Sequence, residues 1–102
     1  MSDVVNESVP NWDHGQKSIG TSAAFLVTNT ATRCAKGVQI KAASGNAGVV
    51  YIGKSDVTAN SAVATDGYPL AAGEEVFVPT DDASDVYAIA SQASQGVFFL
   101  YA

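Results

Sequence analysis

The chain has 102 residues, 47% of them hydrophobic and 15% charged, and ten Asp and Glu against five Lys and Arg give a net charge of -5. This length supports one hydrophobic core and excludes a second independent domain, and the charged fraction lies well below the usual quarter. Scattered cations so outnumbered by acids cannot neutralise several phosphates together, so nucleic acid is not an expected partner.

Residues 1–22 contain isolated apolar side chains, among them Val9, Trp12 and Ile19, without a sustained period of 2 or 3.6. They are predicted to form an extended N-terminal arm. Trp12 is costly to leave in water, so the arm is expected to fold back on its body or anchor on a partner. The first residues are acidic and do not resemble the basic, apolar start of a secretory signal. No apolar run approaches the roughly 18 residues of a membrane span, and no membrane partner is expected.

Residues 23–102 are predicted to form one β domain. The segment 23–29 is bounded by Ser, Thr and Asn and is rich in residues that favour strands. In 34–42, Val38, Ile40 and Ala42 alternate with Gly37, Gln39 and Lys41, the pattern of a strand with one buried face. Gly45, Asn46 and Gly48 supply turn chemistry, which predicts a hairpin into a strand at 49–53. The stretch 54–72 reads as a long surface loop, with a short turn or strand inside it as the alternative, since Asn60, Ser61, Asp66, Gly67 and Pro69 interrupt it.

Three further strands are predicted. In 74–79, Val76 and Val78 face away from Glu75 and Phe77; in 85–91, Val86, Ala88 and Ala90 oppose Tyr87 and Ile89. The last, 97–101, is apolar on both faces, with Val97, Phe99 and Tyr101 on one and Phe98 and Leu100 on the other. Such a strand sits in mid-sheet under cover or is covered by another chain. Six to seven short strands without a convincing helix specify an all-β protein, a small antiparallel β-sandwich or barrel. Its sheet edges are hidden if identical subunits associate about an axis.

Reactive chemistry is not expected, and no catalytic, cofactor or metal residues are assigned. His14 is the only histidine and lies in the predicted arm, away from any nucleophile it would have to orient. Cys34 is the only cysteine, which excludes an internal disulfide and suits a reducing cytoplasm. Arg33 and Lys36 flank it, yet a small buried hydrophobe is the reading adopted. Asp81, Asp82 and Asp85 do not match a spaced calcium loop and are read as turn acceptors. Trp12 with Tyr51, Tyr68, Tyr87 and Tyr101 offers the rings of a sugar-stacking platform, though most are expected in the core or at subunit contacts.

The ordered set Gly48-Val49-Val50-Tyr51-Ile52-Gly53, Asp56-Val57-Thr58, Gly67-Tyr68-Pro69-Leu70-Ala71-Ala72-Gly73-Glu74, Val76-Phe77-Val78-Pro79 and Asp85-Val86-Tyr87-Ala88-Ile89-Ala90 resembles small virion structural proteins of tailed bacteriophages. The resemblance runs over 37–101; the insertion at 59–65 departs from its shorter spacing and the arm has no counterpart. It implies a non-enzymatic particle component, synthesised in the host cytoplasm and placed at the capsid surface. The implied role is capsid decoration, as a cement that stabilises the shell. Its implied partners are major capsid protein or neighbouring virion subunits, together with further copies of itself, a trimer being favoured. Val9, Trp12, Ile19, Phe98, Leu100 and Tyr101 are the expected contact residues. The alternative is a tail or fibre-associated adsorption module that binds glycans.

Overall fold

The alternation of Val38, Ile40 and Ala42 with Gln39 and Lys41 is realised in a strand whose apolar set is fully buried, in a computed structural model that describes residues 12–59 and 64–102. Eight strands occur among the described residues. They are β1 (Asp13–Ile19), β2 (Ala24–Phe25), β3 (Gly37–Ala42), β4 (Val50–Gly53), β5 (Tyr68–Leu70), β6 (Glu75–Pro79), β7 (Tyr87–Ala90) and β8 (Gln95–Tyr101). A short 3-10 turn, Ala83–Asp85, precedes β7.

Two antiparallel four-stranded sheets result, with orders β1-β8-β3-β6 and β2-β7-β4-β5. The strands pair in nested fashion: β4 with β5, β3 with β6, β2 with β7 and β1 with β8. The chain is thus one long two-stranded ribbon, rolled up so that β3 also meets β8 and β4 also meets β7. This is jelly-roll topology.

Side chains alternate across each strand, so register decides what enters the core. Ile19, Val38, Ile40, Ala42 and Val97 of the first sheet meet Val50, Ile52, Leu70, Ala88 and Ala90 of the second in one buried cluster, joined by Leu26 and Val86. Full burial of each branched side chain stabilises the fold by roughly 1.5–3 kcal/mol. Phe99 and Tyr101 also point inward and pack half-buried against the cluster. Opposite Phe99 in register stands Gly15, where an added Cβ would lie 2.8 Å from the Phe99 ring.

The two open sides between the layers differ. On one, the Lys17 ammonium of β1 donates to the Phe25 carbonyl of β2 and lies 3.4 Å from the centre of the Phe25 ring, tying the sheets together. On the other, between β6 and the β4–β5 pair, a cleft of about 220 Å³ remains.

Several expectations are corrected by this arrangement. The strand count is eight, not six to seven, and the layers do not close into a barrel because β1 and β6 stay edges of one sheet and β2 and β5 of the other. Residues 13–19, read as arm, form a strand paired with β8 along all seven positions. The strand expected over 23–29 is confined to Ala24–Phe25. The turn at 44–48 does not close a hairpin, because β3 and β4 belong to different sheets. It is a crossover between layers, fixed to the start of β8 by Asn46 and to Gln95 through Gly48.

Candidate functional site

Because Val38, Ile40 and Ala42 face the core, the intervening residues of β3 face solvent, and register carries that phase across the sheet. His14, Leu100, Gln39 and Phe77 stand in one row over the four strands, with Gln16, Phe98, Lys41 and Glu75 in the next. Trp12, just before β1, is in phase with His14 and Gln16.

This outer face concentrates apolar surface that the core does not use. Five large hydrophobic residues are exposed among the described residues, and four of them are here: Trp12 at 63%, Phe77 and Phe98 at 48%, and Leu100 at 45%. A groove of about 440 Å³ runs along the face, lined by Trp12, His14, Phe98 and Leu100 with Gln39, Lys41 and Glu75. The Trp12 and His14 rings lie 6.1 Å apart at a tilt of 35°. Gln39 donates from Nε2 to Glu75 Oε1 at 2.9 Å, which fixes both polar ends beside the rings. In these two rows one lysine meets one carboxylate, so the face is nearly neutral on a chain of net charge -5. A neutral, ring-bearing surface on an acidic body suits adhesion, since like-charged copies repel elsewhere.

The expected contact residues divide. Trp12, Phe98 and Leu100 come together in the groove. Ile19 does not join them: it is 1% exposed and belongs to the core, because odd-numbered residues of β1 point inward. Tyr101 also turns inward and is half-buried. Val9 lies outside the described residues. Phe77 belongs to the face and was not among the expected contacts, although its alternation with Val76 and Val78 already places it outward.

The remaining candidates serve the scaffold. Asp82 Oδ1 accepts from the backbone N–H groups of Thr32 and Ser84, both at 2.9 Å, and from the Ser84 hydroxyl at 2.8 Å. These bonds hold its carboxyl below the ordinary value of 3.8. The acidic loop is thereby stitched to 32–34, where Ala83 N–H donates to the Thr32 carbonyl and Cys34 N–H to that of Asp81. Cys34 is 3% exposed. Burial pushes its thiol up; a backbone hydrogen bond at Ala83 opposes this, and the Asp82 and Asp81 carboxylates add to it. Its surroundings thus favour the protonated thiol, although Arg33 and Lys36 flank it in the sequence. Among the described residues no group of three His, Cys, Asp or Glu is placed to hold a metal ion, and no helix is long and apolar enough to cross a membrane.

No protein family, curated protein or solved structure matches this chain.

Proposed function

We propose that the chain is a non-enzymatic virion structural protein of a tailed bacteriophage, a capsid decoration protein that acts by adhesion. The carrying observation is the outer face of the β1-β8-β3-β6 sheet, with Trp12, Phe77, Phe98 and Leu100 exposed together. The ordered strand-and-turn motifs over 37–101 support the phage assignment. Jelly rolls recur among viral capsid domains, which agrees with the reading without carrying it.

Magnitudes favour a repeated contact over a single one. Covering four half-exposed side chains gains roughly 3–6 kcal/mol, at about 1.5–3 kcal/mol for each one fully buried. Association alone costs an estimated 4–15 kcal/mol. One face on one capsid subunit therefore binds weakly, whereas a homo-oligomer, with a trimer favoured, presents several linked faces to the lattice and gains by avidity. Its partners are major capsid protein or neighbouring virion subunits at the capsid surface.

Light scattering of the purified protein, followed by mixing with empty capsids and electron microscopy, tests the reading. Regular density on the shell is the expected result; bare shells at saturating protein would refute it.

One observation favours a second reading, a tail or fibre-associated module that binds glycans. The groove sets rings beside an amide, a carboxylate and an ammonium, groups that match the apolar face and the hydroxyls of a sugar. Saturable binding of oligosaccharides, lost in Trp12→Ala, would select it.

A further inference from the structure

We propose that two copies of the chain pair antiparallel along β1, edge to edge about a two-fold axis at Gln16, and so join their β1-β8-β3-β6 sheets into one. The contact concerns self-association alone and goes beyond the capsid role proposed above.

Hydrogen-bond phase assigns the free groups of β1. In an antiparallel ladder one residue turns both backbone groups to a neighbour, and the next turns both to the other side. Ala43 N–H donates to the Gly96 carbonyl, and Gly37 and Ala102 exchange both bonds, so the even-numbered residues of β8 bond β3. The odd-numbered ones, Gln95 to Tyr101, therefore bond β1 through Ile19, Lys17, Gly15 and Asp13. His14, Gln16 and Ser18 are left with their N–H and carbonyl groups directed away from the sheet. The His14 N–H agrees with this phase, since it donates to Asp13 Oδ1 at 2.8 Å and not to β8. Among the described residues no strand pairs with this side of β1, and the edge groups of Gln16 and Ser18 have no partner.

The other sheet edges are blunted, as exposed edges usually are. β5 is three residues long with Pro69 at its centre and β6 ends in Pro79, and proline has no N–H to offer. β2 has two residues, and Lys17 already occupies the Phe25 carbonyl. β1 runs seven residues without proline, and its exposed outward side chains are His14, Gln16 and Ser18, with no lysine or carboxylate among them. The Asp13 carboxylate covers a single N–H of this edge.

A second β1 fits because the edge is its own complement. A two-fold contact sets the same surface against itself. With Gln16 opposite Gln16, His14 stands opposite Ser18 of the second copy, and every free backbone group finds a partner once the His14 N–H leaves Asp13. Lys17 then faces Gly15 and Asp13 faces Ile19 of the second copy, so no like charges oppose. An axis normal to the sheet keeps both outer faces on one side, and Trp12, Phe98 and Leu100 of the two copies share one continuous surface. The product is a dimer; a three-fold assembly would use a different surface.

Mass and amide exchange test the contact on the full chain. In a dilution series, light scattering is expected to rise from the mass of one copy to that of two, and the amides of Gln16 and Ser18 to gain protection from hydrogen exchange in step. Gln16→Pro removes the N–H at the axis, which β8 does not use, and should leave the far-UV circular dichroism like the parent's. It should weaken pairing by about 10-fold or more, the scale of one hydrogen bond lost in each copy. Gln16→Cys should cross-link two copies under mild oxidation, whereas Gln39→Cys, on the same face in mid-sheet, should not. A monomer at every concentration would overturn the contact, and so would an oligomer whose Gln16 and Ser18 amides exchange freely or one cross-linked only through Gln39→Cys. Protection of those amides in the monomer would show the chain covering its own edge and would overturn it as well. Each of these results leaves capsid decoration standing; a β1-paired dimer that leaves shells bare would defeat decoration and not the pairing.

Discussion

The side-chain amide of Asn46 pairs with both backbone groups of Gly96: its Oδ1 accepts from the Gly96 N–H at 2.8 Å, and its Nδ2 donates to the Gly96 carbonyl at 2.9 Å. A side chain in the β3–β4 crossover thus substitutes for a strand neighbour at the start of β8. Asn46→Ala leaves a part-buried backbone donor unpaired and should cost about 1–3 kcal/mol in chemical denaturation. Asn46→Asp should also destabilise, since a carboxylate cannot donate to the carbonyl.

Lys17 acts as a clip between the layers. Burial lowers its pKa, while the Phe25 ring and carbonyl favour the charged ammonium. Geometry carries more weight here, because the cation keeps a face-on ring and an acceptor that oppose the loss of water. Lys17→Met preserves the aliphatic stem and removes the tie; a loss of about 0.5–2 kcal/mol is expected from thermal unfolding.

Asp82 sets an acid dependence. Its folded pKa lies below the unfolded value, so its contribution is complete above the ordinary 3.8 and is lost as pH falls through the folded value. Stability should therefore decline below the usual carboxylate range, and Asp82→Asn should flatten that limb of the stability curve. Unfolding midpoints measured across acidic pH check this; an unchanged limb would exclude Asp82 as its source.

Ile19 and Phe98 should respond in opposite ways. Ile19→Ala opens a cavity in the shared core and should cost about 2–5 kcal/mol. Phe98→Ser removes an exposed ring and should change stability by about 0.5 kcal/mol or less. Paired with Leu100→Ser, it should abolish capsid decoration while the unfolding midpoint stays near the parent's.

Strands with apolar alternation declare themselves in the sequence. β3, β6, β7 and β8 match their expected phases, and Phe98 and Leu100 could be placed opposite Val97 from the pattern alone. β1 could not be found that way. Its inward positions are Asp13, Gly15, Lys17 and Ile19, only one of them a large hydrophobe, because at the sheet margin Phe99 covers the glycine and lysine spans the layers.

Pairing between distant segments was hidden for a different reason. The residues at 44–48 announce a tight turn, but turn chemistry does not say which sheet receives the next strand. The nested ribbon decides that, through contacts such as Gly48 N–H to Gln95 Oε1 at 2.8 Å. Gly37 shows the same dependence: with φ at +147°, it takes a conformation that side chains rarely adopt, and a Cβ there would lie 2.1 Å from the Val78 carbonyl oxygen. Only the β3–β6 pairing reveals that demand.

The rolled ribbon also orders events during synthesis. Its outermost pair joins β1 to β8, the first and last of the described strands; β8 carries Phe98 and Leu100, and Trp12 immediately precedes β1. A chain cut before β8 therefore lacks Phe98 and Leu100 and, with them, the strand that joins β1 to β3. If the chain adheres to a particle as proposed, only copies folded through β8 present the complete face, and the order of the strands itself screens out unfinished ones.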